Sequence, residues 1–222
     1  MTVDLGKKSG AISLEKGQRV TIEKTPRIVA TVSFSAETDY DVYAVILLKD
    51  GTEKVCSTFG SEDQSKPTPT VLGVRHLGDV VRGGSSGLNV ETLEIVMSDE
   101  IDQLAIVAYS AQSNGTGSFR RYQVSTSVDN QSGTTVAVRA DQANSDDTVY
   151  TCVPALIRNT ADGVVIERVE QYSEPGSEYR PSYVGRPVAV KKGLFGRKSA
   201  APVAPANPGV LVMDSGSKNL FK

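Results

Sequence analysis

The chain has 222 residues, a formal net charge of -2 and 39 % hydrophobic residues. A chain of this length is expected to bury a sizeable core in one large domain, or in one domain with an appendage. It contains neither an apolar run of membrane-spanning length nor a basic-then-apolar N-terminus, so no transmembrane segment and no secretory signal is predicted, and we expect a cytoplasmic protein.

Residues that carry catalytic or metal chemistry are scarce. The two cysteines, Cys56 and Cys152, lie far apart in apolar, strand-like segments, which predicts two buried thiols rather than a disulfide in a reducing compartment. The single histidine, His76, cannot build a multi-histidine zinc site, and no CxxC pair replaces it. No serine or cysteine is predicted to stand in the strand-to-helix context of a GxSxG nucleophile. We therefore expect a protein that is not an enzyme.

Short β-branched or alternating segments succeed one another along the first 172 residues. They are separated by turn signals at Asp50-Gly51, Ser132-Gly133 and Asp162-Gly163. Eight or so strands at this spacing predict a mainly all-β fold, a β-sandwich. No long amphipathic helix is predicted, and "MSDEIDQL" is expected to form a short 3-10 or helical link. The segments are RIVATVSFSA, YAVILLKDG, ETLEIVMS, DQLAIVAYSA, RRYQVSTSV, TTVAVRA, VYTCVPALIRN and GVVIERVEQY.

The segment "TDYDVYAVILLKDG" places Asp39 and Asp41 at the start of a strongly apolar run. On a strand, residues two apart face the same side, so both carboxylates can serve one hard cation while Tyr40 and Val42 turn away. Calcium takes roughly six to eight oxygen ligands, so a second loop would have to contribute. The alternative is that the two aspartates only solvate the rim of a buried strand.

The best candidate for that second loop is "HLGDVVRGGSSGLNVETLEI". Asp79 begins its glycine-rich part, and Asn89 and Glu91 follow before the next strand. Glycines allow the backbone to turn sharply and direct carbonyl groups inward. Glycine-rich turns are also common between strands, so a plain connecting loop is the alternative. A phosphate-binding loop is not indicated, because no GxxxxGK sequence is present.

The C-terminal part differs from the rest in charge. Residues 186–222 contain seven basic residues and one acidic residue, whereas residues 1–185 have a formal charge of -8. We therefore predict a β-sandwich domain over residues 1–185 and a basic, proline-rich flexible tail over residues 186–222. Within the tail, "KKGLFGRK" is either a solvated hinge or a contact for an anionic partner, with no clear sign of nucleic acid. The last residues, "VLVMDSGSKNLFK", either fray or dock as a strand on another surface.

In order, "SLEKGQRV", "TDYDVYAVILLKDGTEKV", "HLGDVVRGGSSG", "ETLEIVMSDEIDQLAIVAYS", "GSFRRYQVSTSVDNQSGTTVAV" and "VYTCVPALIRNTADGVVIERVEQY" resemble the TerD-like family of bacterial tellurite-resistance and stress-response proteins. The resemblance covers roughly residues 1–183. It implies a sandwich of two antiparallel sheets that binds Ca²⁺. By matching position, Asp39 and Asp41 take the first two carboxylate positions, and Asp79 takes the aspartate of the Gly-Asp loop.

Two departures from the family pattern weaken the implied site. Tyr43 stands where a third aspartate would be, and "GGSSGLN" replaces an acidic run, which leaves Asn89 and Glu91. Fewer carboxylates offset less of the desolvation of a divalent cation. The sequence therefore predicts either weak calcium binding through these residues or a degraded site.

Three functions are compatible with these features. The first is a non-enzymatic, cytoplasmic stress-response module that binds or scaffolds other proteins and is tuned by calcium. The second is a structural or decoration protein of a phage particle or other assembly, in which the sandwich self-associates and the tail reaches a neighbour. The weakest is a detoxifying enzyme that uses Cys56 and Cys152, because buried thiols are poor nucleophiles.

Overall fold

The computed structural model of the protein describes residues 2–78, 87–114, 117–139, 143–185 and 209–220. Two seven-stranded sheets dominate it. Sheet A contains, in spatial order, β1 (Val3–Lys7), β3 (Gln18–Ile22), β15 (Gly163–Tyr172), β14 (Thr151–Thr160), β11 (Ile101–Tyr109), β5 (Asp41–Leu48) and β6 (Glu53–Cys56). Sheet B contains β2 (Gly10–Ser13), β13 (Thr134–Val138), β12 (Ser125–Asp129), β4 (Ile28–Ser35), β10 (Leu88–Ile95), β9 (Val74–His76) and β8 (Thr70–Val71). A small third sheet pairs β7 (Gly60–Ser61) with β16 (Asn219–Leu220), and one 3-10 turn spans Gln112–Asn114.

The predicted all-β sandwich is confirmed, with one difference at its edges. Neighbouring strands run antiparallel except for β1 beside β3 and β2 beside β13, which are parallel. Both parallel pairs involve the N-terminal strands, since β1 joins sheet A and β2 joins sheet B. The first residues of the chain therefore close one edge of each sheet.

The three predicted turn signals each connect two adjacent antiparallel strands. Gly51 has φ 84°, and Asp50 Oδ1 accepts a hydrogen bond from Thr52 N at 2.8 Å, so the Asp-Gly pair reverses β5 into β6. Gly163 begins β15 with φ 144°, and a Cβ there would lie 2.4 Å from Ile22 O. The predicted helical link is wrong: residues 96–98 have no regular secondary structure, residues 99–100 form a turn, and β11 begins at Ile101.

Between the sheets lies the main core. In β4 buried and half-buried residues alternate strictly, because one face packs inward and the other does not. Burying the inward side chains removes apolar area from water at about 25 cal/mol per Å². The largest fully buried members of this core are Tyr40, Phe34, Phe119, Leu14, Ile22, Ile28, Ile46, Leu93 and Ile95.

A second apolar cluster covers the outer face of sheet A. All eight residues of β5 are buried, because Val42, Ala44 and Ile46 face the main core while Tyr43 and Val45 face outward. The cover is a layer that we call the C-terminal strap, residues 173–185 and 209–220. The outer cluster contains Tyr43, Val45, Leu47, Val55, Phe59, Ala105, Val107, Tyr109, Ala111, Tyr150, Val153, Leu156, Tyr183 and Leu211.

Arg180 is the main polar anchor of the strap. Its guanidinium donates to Asp63 Oδ2 at 2.7 Å and to Ser61 Oγ at 2.8 Å, and it lies 3.8 Å from Glu53 Oε1. Two backbone bridges, Ser182 with Val212 and Tyr179 with Lys218, join the two parts of the strap. The strap is therefore held by charged hydrogen bonds as well as by apolar contact.

The last described residues do not fray. Residues 209–220, assigned to the tail from the sequence, lie against the protein's own sandwich, where β16 pairs with β7. Residues 186–208, with the basic "KKGLFGRK" segment, lie outside the described residues, so the predicted boundary at residue 185 stays a prediction. Among the residues that the structure describes, no helix is long and apolar enough to cross a membrane.

Candidate cation site at one end of the sandwich

Strand pairing brings the predicted acidic residues to the same end of the sandwich. Strand β10 runs antiparallel to β4 and pairs Leu88 with Ser35. Residues 36–40 then connect β4 to β5, which begins at Asp41. The starts of β5 and β10 therefore lie at one end, where Ala36 N also donates to Gly87 O at 3.2 Å.

Asp39 and Asp41 share one side of the chain. Tyr40 and Val42 alternate with them and belong to the main core, and Tyr40 packs on Phe34 with ring centroids 5.6 Å apart. The aspartates therefore alternate away from the core, as the sequence predicts. Asp41 is only 9 % exposed.

Tyr43 continues the side of Asp39 and Asp41 and lies in the outer cluster. Its ring meets Phe59 edge-on with centroids 5.5 Å apart. Burial raises the pKa of Tyr109, the cross-strand partner of Asp41, and the nearby charges of Glu178 and Asp41 raise it further. The position of the family's third aspartate is thus an apolar packing position, where a carboxylate would be costly.

Asn89 and Glu91 lie on the inner face of sheet B instead. They share the face of Leu93 and Ile95, and they are 2 % and 0 % exposed. Within the described part of the chain, neither amide atom of Asn89 has a hydrogen-bond partner. Leaving such a buried polar group unpaired costs about 1–3 kcal/mol, so this amide is suited to meeting a further ligand.

Glu91 links the two sheets. Its Oε2 accepts a hydrogen bond from Val42 N at 2.7 Å, directly after Asp41. The same atom lies 3.3 Å from His76 Nε2, within ion-pair distance but outside hydrogen-bond geometry. His76 Nδ1 accepts from Gly78 N at 3.1 Å, which fixes the ring. Sequence reasoning missed this role of His76, because nothing in the chain pattern connects it with a partner fifteen positions away.

The five predicted ligands therefore fall into three groups. Asp39 and Asp41 lie outside the main core at the start of β5, Asn89 and Glu91 lie inside it on β10, and Asp79 lies outside the described residues. In the described part of the chain, no group of three or more His, Cys, Asp or Glu side chains is arranged to hold a metal ion.

The donor set fits calcium in kind but is small in number. Asp39, Asp41 and Asn89 offer oxygen atoms, the ligands that a hard cation prefers. Glu91 Oε2 is already engaged by Val42 N. A complete shell would need backbone carbonyls, water or residues of the loop that precedes Gly87.

Both cysteines are free and buried, as predicted. Burial raises the pKa of the Cys56 thiol to about 11, and burial also raises that of Cys152. A raised pKa keeps a thiol protonated at neutral pH and lowers its reactivity.

No protein-family model matches the chain, and no curated protein matches it. Among solved structures it is similar to a homologue of the telluride resistance protein TerD from Streptomyces coelicolor A3(2), at 11 % identity and a TM-score of 0.49 over 68 % of this chain and 91 % of that chain. It is similar also to a protein whose function is described as unknown, at 9 % identity and a TM-score of 0.49 over 70 % of this chain and 92 % of that one.

Proposed function

We propose that this protein is a non-enzymatic, cytoplasmic binding module of a stress response, and that a calcium ion at the β5 end of the sandwich tunes its contact with other proteins. The stress-response part of the proposal rests on the sequence resemblance to TerD-like proteins. The calcium part rests on the residues at the starts of β5 and β10.

The observation that carries the calcium proposal is the buried amide of Asn89, which has no hydrogen-bond partner among the residues that the structure describes. It is 2 % exposed and lies two residues before Glu91, which is itself bonded to the backbone directly after Asp41. A cation bound by Asn89 Oδ1 would offset the cost of burying that oxygen without a hydrogen bond. In this proposal Asn89 contacts the ion from the core side, whereas Asp39 and Asp41 supply negative charge from the side of β5 that faces away from the core. Glu91 positions the start of β5 through Val42 N.

The structural or decoration role remains the second candidate. Its tail contact receives no support from residues 209–220, which pack against the protein's own sandwich. The raised thiol pKa of Cys56, to about 11, gives no support to a thiol-based enzyme.

Calorimetric titration of calcium into the metal-stripped full chain tests the proposal. We expect saturable heat in the wild type and its loss in an Asp39→Asn, Asp41→Asn double variant. An Asn89→Leu variant should bind at least about tenfold more weakly, because it removes one oxygen ligand.

The matched control is an Asp99→Asn, Glu100→Gln double variant, which removes the same charge in a turn at the opposite end of the sandwich. It should titrate like the wild type. Absence of heat in the wild type, or equal loss of binding in the control, would contradict the calcium proposal and leave the structural role as the better candidate.

A further inference from the structure

The C-terminal strap brings a buried carboxylate to the outer side of the candidate cation site. Asp41 and Tyr109 lie directly opposite each other on β5 and β11, and both face the outer side of sheet A. Residues paired in this way have Cβ atoms about 4.5–5.5 Å apart. The hydroxyl group of Tyr109 donates to Oε1 of Glu178 in the strap, at 3.3 Å. Asp41 and Glu178 therefore flank the same tyrosine.

Glu178 is fixed at the point where the two parts of the strap meet. Its Oε1 also accepts a hydrogen bond from Gln112 N at 2.9 Å, and its Oε2 lies 3.2 Å from Lys218 Nζ. Its backbone carbonyl accepts a hydrogen bond from Asn219 N at 3.1 Å, which joins the two parts of the strap. Because both carboxylate oxygens are engaged, Glu178 acts on an ion through its charge rather than as a ligand.

The two charges of the Glu178–Lys218 pair differ in exposure. The side chain of Glu178 is 4 % exposed, whereas that of Lys218 is 42 % exposed. Water and salt screen the exposed ammonium group more than the buried carboxylate. Burial raises the pKa of Tyr109, and the charges of Glu178 and Asp41 raise it further, so both carboxylates act on the space around this ring. The docked strap therefore adds negative potential at the start of β5.

We propose that Glu178 strengthens cation binding at the start of β5, and that docking of the strap and occupancy of the cation site favour each other. This inference rests on the proposed function, because it names how the calcium site is regulated. The next residue on this side of β5 is Tyr43, so the strap is the source of the additional carboxylate. A bound cation reduces the repulsion between Asp41 and Glu178, and such a coupling between two sites acts equally in both directions.

Calcium titration of full-chain variants tests the proposal by the sign of the effect. Glu178→Gln keeps an oxygen acceptor for Tyr109 and Gln112 but removes the charge, so it should weaken calcium binding by about threefold or more. Lys218→Met removes the opposite charge and should strengthen calcium binding by a similar factor. Both variants break the same ion pair, so a purely structural role of the pair would change the affinity in the same direction. Glu94→Gln removes a negative charge at the other end of β10 and should titrate like the wild type.

Hydrogen exchange in metal-free protein gives a second readout that does not depend on calcium. The strap amides of Arg180 and Asn219, which donate to the carbonyls of Ser217 and Glu178, report the opening of the strap. Asp41→Asn should slow their exchange by about threefold or more, because it removes a charge that repels Glu178. This change should be absent in a Glu178→Gln background, where the repulsion is already lost.

The two measurements separate this inference from the calcium proposal. Equal calcium affinities of the wild type, Glu178→Gln and Lys218→Met would overturn the inference and leave the calcium site in place. A change of the same sign in both variants, or exchange that Asp41→Asn does not slow, would also overturn it. A wild type that gives no calcium heat would contradict the proposed function, and the exchange measurement alone would then decide whether Asp41 and the strap are coupled.

Discussion

The outer faces of the two sheets differ in how far other parts of the chain cover them. Sheet A is covered by the C-terminal strap, so β5 is buried along its whole length. None of the described segments forms such a cover over β4 of sheet B, where inward residues are buried and outward residues are half-buried. Sheet A is therefore an internal layer, while the outward residues of β4 in sheet B stay half-buried.

The sequence differences between the strands explain this contrast. Strand β5 reads DVYAVILL, apolar at nearly every position, whereas β4 reads IVATVSFS and alternates. A continuous apolar run requires cover on both faces, and an alternating run requires it on one. The continuous apolar sequence of β5 thus requires the strap, and substitutions in the strap and in sheet B test how strongly each is stabilised.

The largest effect is expected from Arg180→Met. It keeps much of the side-chain volume but leaves Glu53 and Asp63 without the guanidinium that pairs with them. Breaking a buried ion pair in this way costs about 3–5 kcal/mol of unfolding free energy, which urea denaturation would measure. Arg75→Met removes a more exposed ion pair of sheet B and should cost less than about 1 kcal/mol.

The pH dependence of the Arg180→Met variant gives a further check. Burial raises the pKa of Glu53, and hydrogen bonds from Tyr183 and Ser182 and the charge of Arg180 oppose that rise. Without Arg180 the folded variant should take up a proton more readily. The loss of unfolding free energy in the variant, relative to the wild type, should therefore be greatest at neutral pH and shrink as pH falls. A loss that does not change with pH would indicate that lost packing dominates.

A smaller effect is expected from Leu211→Ala in the strap. Leu211 is 6 % exposed in the outer cluster, so its truncation should cost about 2–3 kcal/mol of unfolding free energy. The neighbouring Val210 is 50 % exposed, and Val210→Ala should change stability by less than about 0.5 kcal/mol. Equal effects of the two substitutions in thermal or urea unfolding would show that residues 209–220 do not hold the strap in place.

The sequence predicts much of the sandwich because its signals are local. The Asp50-Gly51 and Asp162-Gly163 turns and the alternation of β4 each depend on a few adjacent residues. The strap was not predicted, because its fixing contacts join Arg180 to Ser61 and Asp63, more than a hundred positions away. Its own sequence, short and rich in Ser and Gly, resembles that of a terminal tail.

The sequence alternation alone already separates the candidate ligands into two groups. Asn89 and Glu91 have the same parity as Leu93 and Ile95 in LNVETLEI, which places them on the core side of β10 rather than on a rim. The same two-residue alternation places Tyr43 on the side of β5 that carries Asp39 and Asp41. The Glu91–His76 contact has no such signal, since it depends on the pairing of β9 with β10.

The smallest effect concerns Asp129 in β12 of sheet B. The hydrogen bond that Thr135 Oγ1 donates lowers the pKa of Asp129, and hydrogen bonds from Gln131 lower it further against the opposing effect of burial. A lowered folded pKa means that this carboxylate stabilises the fold above its unfolded pKa and loses that contribution as pH falls through the folded pKa. Thr135→Val should therefore reduce the unfolding free energy at pH 6 by less than about 1 kcal/mol, since the carboxylate is largely solvated. Urea unfolding should show the difference from the wild type disappearing towards pH 2, whereas a difference that persists there would assign the effect to packing of the threonine.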